Sequence, residues 1–414
     1  MAHSAKLASL LLLTVLLTFC VVGLSSCAGE GGETKTLYVY NWGEYISDGS
    51  EGTDDTNKMF EAWYYETFGE RVKVNYSTYS SNESMYAKLS AGSVQYDVVV
   101  PSDYMIERMI AEDMLAPLNF ENIPSIGNID EKFFGDNAVY DYYDPDNRYA
   151  VPYMYGMVGI IYNTTMVAED DPSLGSWNLM WDERHAGNIL QFNNSRDAFG
   201  TAQYLLGLDV NSLDEGEWQQ ALEKLKAQKK VVQGYVMDEI YNKMENGSAA
   251  IAAYYAGDFL TMYENNEDLE FFYPREGTNL YVDAMCILKS SENKEIAERY
   301  IEFMLQRDPA VANAEYTYYA SPNKVVKEDA EYIEYMNSIK EGGFDLMYDT
   351  DGVPTSSYKN LDADTLILIN NLWEELKSDI DVGLSIYVIC GVILVILIGG
   401  GIFLALRKRY RGKY

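Results

Sequence analysis

Three strand-like segments set the class of this fold: LYVY at residues 37–40, VKVNYSTY at residues 72–79 and DVVV at residues 97–100. Residues 56–68, between the first two strands, have the apolar spacing of a helix, and residues 80–83 read as a capping box that opens a second helix. This strand–helix–strand series predicts an α/β fold. Its sheet should be parallel, with helices on both faces and loops at the carboxyl ends of the strands.

The alternation of strands and helices resumes in the second half of the chain. Further strand-like segments occupy residues 188–192, 230–235, 249–254 and 281–288. Helical patterns lie near residues 217–228, 293–305 and 366–377. The long middle of the chain exceeds what one hydrophobic core usually organises, so we expect two lobes.

Both ends of the chain carry signals for the cell envelope. Residues 1–27 combine Lys6 with an apolar run and close on LSSC, which predicts a secretory signal. Residues 384–406 contain no charge and are long enough to span a bilayer as a helix. By the positive-inside rule the basic tail at residues 407–414 stays cytoplasmic, which leaves the middle of the chain outside the cell.

The LSSC sequence resembles bacterial lipoprotein signals, in which the cysteine is lipid-modified and becomes the first residue of the mature protein. The resemblance implies lipid attachment at Cys27 and a polar tether over residues 28–35. An uncleaved N-terminal anchor is the alternative. With Cys20 removed with the signal, Cys27 lipidated and Cys390 in the membrane, Cys286 is alone in the exported part, and no disulfide can form there.

The chain is strongly acidic, with 64 Asp and Glu against 31 Lys and Arg and a formal net charge of −33 at pH 7. This balance excludes nucleic acid as a natural partner and favours cationic ligands. A uniformly acidic surface is also a solubility feature, so the charge alone does not locate a site. We expect no cofactor and no metal site.

Tyrosine is abundant, with 36 residues, and several tyrosines stand where strands end. The segments that contain them are NWGEY at 41–45, PSDY at 101–104, PYMYG at 152–156, YYAGD at 254–258, YVD at 281–283 and YYASPN at 318–323. Each motif alone is more often core or rim than ligand contact. Their joint occurrence is more informative, because open α/β sheets bind ligands at the carboxyl ends of their strands.

The chemistry of these segments suits an organic cation. Aromatic faces attract ammonium groups by roughly 0.5 to 2 kcal/mol each and also cover methylene chains. Carboxylates then fix the ends of such a ligand through charge-assisted hydrogen bonds. The acids available beside the aromatics are Glu44, Asp197, Asp258 and Asp283. Each could instead be a solvated loop residue or a helix cap. This alternative is weakest for Asp283, which is flanked by Tyr281 and an apolar strand.

Three segments closely resemble the spermidine/putrescine-binding periplasmic proteins of polyamine ABC transporters. They are LYVYNWGEY at 37–45, YSTYSSNESMYAKL at 76–89 and YDVVVPS at 96–102, and the resemblance extends more loosely over residues 36–375. It implies a type II periplasmic-binding-protein fold, with two discontinuous lobes joined by a hinge, ahead of the C-terminal transmembrane helix. It also implies capture of a polyamine, putrescine or spermidine, for import, with closure of the lobes read by the permease of an ABC transporter.

The resemblance assigns parts of the chain to each lobe. Lobe 1 would comprise residues 36–149 with residues 280–322, and lobe 2 residues 150–279 with residues 323–378.

The family's ligand-contacting positions carry over residue by residue. The resemblance implies pocket contacts by Trp42, Tyr45, Ser102, Tyr104, Tyr255, Tyr281, Tyr319 and Asp283. Asp283 matches the amine-binding aspartate. The sequence departs from the family where two acids grip an amine, because Asn194 replaces the first and Asp197, shorter than the usual glutamate, replaces the second. The lost carboxylate lowers the negative charge of the site and weakens the expectation of a triamine ligand.

Other functions fit parts of the sequence. A ferric-ion receptor of the same fold could use the tyrosine pairs at 254–255 and 318–319 as phenolate ligands, and a receptor for another organic cation is also open. An extracellular enzyme is disfavoured, because His185 is the only histidine of the exported part and no hydrolase motif accompanies it. A sensing or adhesion receptor without a permease stays open.

Overall fold

The computed structural model describes residues 34–378, with the exception of residues 93, 137 and 351. The predicted signal with Cys27, the membrane-spanning segment at 384–406 and the basic tail lie outside the described residues and stay predictions. Within the described range, no helix is both long and apolar enough to cross a membrane.

The described residues form a ten-stranded sheet with helices packed against it. In chain order the strands are β1 (Lys35–Trp42), β2 (Val72–Tyr79), β3 (Val98–Val99), β4 (Ala150–Asn163), β5 (Ile189–Phe192), β6 (Val232–Val236), β7 (Ile251–Tyr255), β8 (Leu269–Phe272), β9 (Thr278–Ile287) and β10 (Thr355–Ser356). Strand β1 thus begins at the last residue of the predicted tether.

Thirteen α-helices and five short 3₁₀-helices lie within the same described range. The α-helices are α1 (Thr56–Phe68), α2 (Asn82–Ser90), α3 (Asp103–Ala111), α4 (Ser195–Leu206), α5 (Glu215–Gln228), α6 (Glu239–Glu245), α7 (Ala256–Asn265), α8 (Lys294–Met304), α9 (Arg307–Thr317), α10 (Lys324–Lys327), α11 (Ala330–Ile339), α12 (Gly343–Tyr348) and α13 (Ala363–Ser378). The 3₁₀-helices are Ser50–Gly52, Phe120–Asn122, Pro124–Asn128, Trp177–Trp181 and Glu183–His185.

The sheet consists of two parallel flanks joined by two long antiparallel strands. Its order is β2-β1-β3-β9-β4-β7-β5-β6, with β8 paired to β4 and β10 to β9. The first flank (β2, β1 and β3) and the second flank (β7, β5 and β6) are each parallel. Strand β9 pairs with β3, β4 pairs with β7, and β4 and β9 pair with each other, all three antiparallel. The predicted parallel sheet is therefore confirmed within each flank and wrong at the centre.

The sequence prediction missed β4, although this strand is 14 residues long. Nearly all residues of β4 and all residues of β9 are buried. Strands covered on both faces lack the alternation of apolar and polar residues that marks a half-buried strand. These two buried strands join the two flanks at the centre of the sheet.

The first turn of α2 corrects one predicted detail. The capping residue is Ser81 rather than Ser80: its hydroxyl accepts a hydrogen bond from the Ser84 backbone N–H at 3.1 Å, and the Ser84 hydroxyl accepts in turn from the Ser81 N–H at 3.3 Å. Serine at the third position thus does what Glu or Gln usually does in a capping box. Glu83, the predicted partner of Ser80, is free of that role.

The turns that follow the strands place the aromatic and acidic segments. Helix α3 begins directly after Ser102, and α7 follows β7 without a loop. Helix α4 begins after Asn194, whose side-chain oxygen accepts from the Asp197 backbone N–H at 2.9 Å. These helix starts bring residues of both flanks to one region. The division of the chain into two hinged lobes stays a prediction.

Candidate functional site

A cavity lies between the carboxyl ends of strands in the two flanks. Its wall is formed by the ends of β1 and β7, by the first turns of helices and by β9. Eleven of the twelve predicted ligand residues line it: Trp42, Tyr45, Ser102, Tyr104, Asn194, Asp197, Tyr255, Asp258, Tyr281, Asp283 and Tyr319. The structure thus brings together residues that are far apart in sequence, and their contact with a ligand stays a prediction.

The twelfth predicted residue, Glu44, lies outside the cavity wall. Its backbone is left-handed, with φ of 48°, in the turn between β1 and the buried Tyr45. The Glu44 side chain is exposed, and its Oε2 accepts a hydrogen bond from the Tyr316 hydroxyl at 3.2 Å. The expectation that Glu44 belongs to the acids of the cavity is therefore corrected, because the turn carries its carboxylate to the surface.

Asp283, on β9, has both carboxylate oxygens hydrogen-bonded. The Tyr45 hydroxyl donates to Oδ2 at 2.7 Å, and the Ser102 hydroxyl donates to Oδ1 at 2.6 Å. Asp283 is 4% exposed, and this burial raises its pKa to about 6, although the two hydrogen bonds oppose the rise. A nearby cation would favour the ionised form and lower the pKa again.

Asp258, in the first turn of α7, is held in the same manner. The Tyr241 hydroxyl donates to Oδ1 at 2.7 Å, and the Tyr319 hydroxyl donates to Oδ2 at 2.9 Å. Burial raises the pKa of Asp258 to about 7 against the effect of both hydrogen bonds. With only neutral hydroxyl groups as partners, the Asp258 carboxylate has no counterion among the described residues that line the cavity.

Asp197, in the first turn of α4, receives two hydrogen bonds on one oxygen. The Tyr255 hydroxyl donates to Oδ2 at 2.6 Å, and the Asn194 amide donates to the same atom at 2.7 Å. Burial raises the pKa of Asp197. Because the Asn194 amide bonds to the Asp197 side chain at one end and to its backbone at the other, Asn194 caps the helix and orients the carboxylate.

Two further acids line the cavity that the sequence did not single out as ligands. The Tyr104 hydroxyl donates to Glu83 Oε1 at 2.9 Å, and burial raises the pKa of Glu83. Asp238, immediately before α6, lies at the mouth, where a Cβ added to Gly43 would be 3.1 Å from its Oδ2. The sequence offered no signal for Asp238, and Glu83 had been assigned to the capping box.

Asp103 supports the site from behind the wall. Its Oδ1 accepts from the Tyr104 backbone N–H at 2.7 Å, and its Oδ2 accepts from the Val282 N–H at 3.2 Å and the Tyr142 hydroxyl at 2.5 Å. Burial raises the pKa of Asp103 to about 7. The residue ties the start of α3 to the middle of β9, which fixes Tyr104 relative to the strand that carries Tyr281 and Asp283.

Aromatic rings form a continuous part of the wall. The Tyr281 ring lies between those of Tyr255 and Tyr319, with centroid distances of 5.4 Å and 6.5 Å. The Tyr319 ring also meets the Tyr45 ring edge-on at 4.9 Å. The Trp42 indole is oriented by a hydrogen bond from its Nε1 to the Val100 carbonyl at 2.9 Å. These faces suit the methylene chain of a cationic ligand.

Tyr358 is an aromatic wall residue that the sequence did not predict. It stands between β10 and α13, and it reaches the cavity because α4 has a glycine at position 200. A Cβ on Gly200 would lie 2.1 Å from the Tyr358 hydroxyl. The guanidinium of Arg196 stacks on the Tyr358 ring at 4.6 Å and faces the Tyr104 ring at 5.3 Å.

The charge of the cavity is one-sided. Its wall includes five carboxylates, those of Glu83, Asp197, Asp238, Asp258 and Asp283, and no Lys, Arg or His among the described residues that line it. Burial without a counterion disfavours the ionised form of a carboxylate, and a bound cation removes that cost. The arrangement is therefore complementary to a positively charged ligand rich in N–H donors.

The two tyrosine pairs do not come together as a complete set in the described part of the chain. Tyr318 is not in the cavity wall, and its hydroxyl lies 2.9 Å from that of Tyr335. Burial raises the pKa of Tyr254, Tyr255 and Tyr319. The hydroxyls of the latter two donate to Asp197 and Asp258. They serve as hydrogen-bond donors to acids.

Known proteins match this chain over most of the described range. A family model described as bacterial extracellular solute-binding protein matches residues 58–338. The spermidine/putrescine-binding periplasmic protein of Salmonella typhimurium strain LT2 is 30% identical over 314 residues, which cover 76% of this chain and 85% of that protein.

Solved structures of similar proteins share the fold. The spermidine/putrescine ABC transporter substrate-binding protein PotD from Streptococcus pneumoniae matches with a TM-score of 0.63 and 30% identity, over 83% of this chain and 99% of that chain. The TpPotD lipoprotein of Treponema pallidum matches with a TM-score of 0.68 and 25% identity, again over 83% of this chain and 99% of that chain.

Proposed function

The chain belongs to the bacterial extracellular solute-binding protein family, and from this premise we propose that it captures a polyamine in the cavity and presents it to an ABC importer. The observation that carries the proposal is the wall of five carboxylates with no base among its described residues. Similar proteins support the ligand class, because one is a spermidine/putrescine-binding periplasmic protein and another is the substrate-binding protein of a spermidine/putrescine ABC transporter.

The buried acids would hold the amines of the ligand. Asp258 and Asp283 each accept two hydroxyl hydrogen bonds and retain lone pairs for the N–H groups of an ammonium. Each charge-assisted hydrogen bond contributes about 1.5 to 3 kcal/mol. The methylene chain between the amines would pack on the rings of Tyr255 and Tyr281, which also attract the cationic ends.

The same wall explains which solutes would be rejected. An anion would face five carboxylates without a compensating base among the described wall residues. A neutral sugar would leave Asp258 and Asp283 buried without a counterion, so its binding would not repay their desolvation. Selectivity for cations thus has two sources. One is the free-energy cost of burying carboxylates without a counterion in the ligand-free protein, and the other is the set of contacts that a bound cation makes.

Both flanks contribute to the wall, so a bound ligand would connect them. Tyr45 and Ser102 come from loops of the first flank, and Asp197 and Asp258 come from helices that follow strands of the second. A ligand that bridges these groups favours the arrangement in which the flanks meet. A permease would recognise that arrangement, and the predicted lipid at Cys27 or the predicted helix at 384–406 would keep the receptor near it.

Calorimetric titration of the full-length protein with putrescine, spermidine, ferric citrate and a neutral sugar tests the proposal. We expect saturable one-to-one binding of at least one polyamine and no heat from the sugar or the ferric salt. Binding of ferric citrate in place of the amines would overturn the proposal in favour of a metal receptor, and silence with both polyamines would reject a polyamine ligand.

A further inference from the structure

A second cavity lies between helices of the two flanks, beside the one described above. It contains about 440 Å³ of space, part of it open to solvent. The first flank supplies residues of α2 and α3, and the other side is formed by the start of α4, residues 359–361 and one face of α13. Glu83 and Tyr104 line both cavities, which are therefore neighbours.

The charge of the second cavity is opposite to that of the first. The described residues of its wall include three bases, Arg108, Arg196 and Lys359, and one acid, Glu83. In the whole chain 64 acidic residues stand against 31 basic ones, so this excess of bases departs from the composition of the protein. A cavity with such a wall attracts anions.

Arg196 is a buried cation without a carboxylate within ion-pair distance in the described range. It is 4% exposed and is the second residue of α4, where the helix dipole disfavours a positive charge. Glu83 and Asp197 act on it only from beyond ion-pair distance. Its guanidinium donates to three neutral acceptors, namely the Lys359 carbonyl at 3.3 Å, the Val210 carbonyl at 3.5 Å and Asn211 Oδ1 at 3.2 Å. An uncompensated buried charge is costly, and an anion in the neighbouring cavity would reduce that cost.

The other two bases come from opposite sides of the cavity. Arg108, on α3, donates from its Nε to Glu112 at 2.9 Å, and its terminal nitrogens have no acceptor in the part of the chain that the structure describes. Lys359 is exposed, and its ammonium has no partner in that same part. The Asn360 backbone N–H donates to Glu107 Oε2 at 2.7 Å, which holds the segment that carries Lys359 against α3. Both bases thus retain N–H donors for a ligand.

Much of the remaining wall is apolar. It includes Met105, Leu361, Leu366 and Ile369, of which only Leu366 is not fully buried. Binding sites for small organic molecules combine apolar side chains with a few polar groups that fix the orientation of the ligand. Bases beside apolar side chains therefore suit a carboxylate with a short hydrocarbon tail better than an inorganic anion.

We propose that the second cavity binds a small organic carboxylate, with Arg108 and Lys359 in contact with the carboxylate group and Arg196 adding to the positive potential. This site does not depend on the proposed polyamine function, but its coupling to that function does. An anion that contacts both flanks favours the arrangement in which they meet, and it offsets the charge of Arg196 beside the acids of the first cavity. Each ligand therefore strengthens the binding of the other.

Calorimetric titration of the full-length protein with sodium hexanoate at constant ionic strength tests the site. We expect saturable one-to-one binding of hexanoate and no binding of hexanamide, its uncharged counterpart. In Arg108→Met/Lys359→Met the hexanoate affinity should fall about tenfold or more, because charge-assisted hydrogen bonds are lost while methionine keeps an unbranched apolar stem. Arg71→Met/Lys73→Met removes the same charges from exposed positions and is the matched control, which should leave the affinity unchanged.

Lys359→Met alone covers the case in which the double variant does not fold, because Lys359 is exposed. Its hexanoate affinity should fall about threefold or more. Four results would each overturn the inference while the proposed function stands: no saturable binding of hexanoate to the folded wild type, equal binding of hexanamide, unchanged affinity in the folded variants, or an equal loss in the control.

Titration of putrescine with and without saturating hexanoate tests the coupling. Hexanoate should raise the putrescine affinity of the wild type about fivefold or more and should have no effect on it in Arg108→Met/Lys359→Met. Hexanoate that binds without changing the putrescine affinity would overturn the coupling. A wild type that binds hexanoate but neither putrescine nor spermidine would overturn the proposed function and leave the anion site standing.

Discussion

Asp258→Asn should stabilise the ligand-free protein while it weakens the binding of its ligand. Burial raises the pKa of Asp258 from its ordinary value of 3.8 to about 7, and Asp238 and Glu44 add to the rise. One pKa unit corresponds to about 1.4 kcal/mol, so ionised Asp258 costs the ligand-free fold roughly 4 kcal/mol at about pH 8, as an order of magnitude. Asparagine is uncharged, and its oxygen still accepts a hydrogen bond from Tyr241 or Tyr319.

The sign of the pH dependence follows from the direction of the shift. A carboxyl with a raised folded-state pKa contributes its full stability below its ordinary pKa, and this contribution is lost as the pH rises towards the folded value. The wild-type protein should therefore lose stability relative to Asp258→Asn between about pH 4 and about pH 7, and the difference should then level off.

Urea unfolding of both full-length proteins without ligand, at about pH 5, 6 and 8, measures this difference directly. Asp170→Asn, on an exposed turn, is the control and should match the wild type at every pH. A variant that is less stable than wild type at about pH 8, or a difference that does not change with pH, would refute the reasoning. Either result would mean that burial does not destabilise the ionised Asp258 carboxylate in the ligand-free protein.

Three other perturbations test separate parts of the site. Polyamine affinity should rise from about pH 5 to about pH 8, because Asp283 and Asp258, with pKa values of about 6 and about 7, must ionise to hold a cation. An affinity that calorimetry finds unchanged across this pH range would contradict this expectation. Gly200→Ala should weaken polyamine binding by about 1 kcal/mol or more in the same calorimetric assay, because the added Cβ displaces the Tyr358 hydroxyl. Wild-type affinity in this variant would show that Tyr358 does not line the ligand site. Glu44→Gln should change affinity by less than about 0.5 kcal/mol at physiological salt, because its carboxylate is exposed and outside the wall, and a loss above about 1.5 kcal/mol would place it in the site.

Local sequence patterns predicted both ends of two elements correctly. Helix α1 and strand β2 have the predicted bounds, 56–68 and 72–79, because apolar spacing and a half-buried face are legible in a short window. Strand β4 was missed because it is buried on both faces. The family resemblance and its α/β binding-protein fold, predicted from three motifs, are confirmed by the matching family model and by solved structures.

The residues of the cavity wall can also be divided into those that the sequence predicted and those that it did not. Residues in aromatic and acidic motifs at strand ends were predicted, since parallel strands gather their carboxyl ends at one edge of a sheet. Tyr358 was not, because it reaches the cavity through packing between segments distant in sequence, and Glu83 was not, because it had been assigned to the capping box. Glu44 sits in a motif, but the left-handed turn that points it outward has no signature in its residue type.

Titration of spermidine and putrescine into the double variant Asp258→Asn/Asp283→Asn, beside the wild type, tests the central claim most directly. Circular dichroism and melting temperature establish that both proteins are folded. We predict saturable one-to-one binding to the wild type and no detectable binding to a double variant that melts at the same or a higher temperature. Retention of wild-type affinity in the folded double variant would contradict the claim that buried carboxylates of this cavity hold a polyamine.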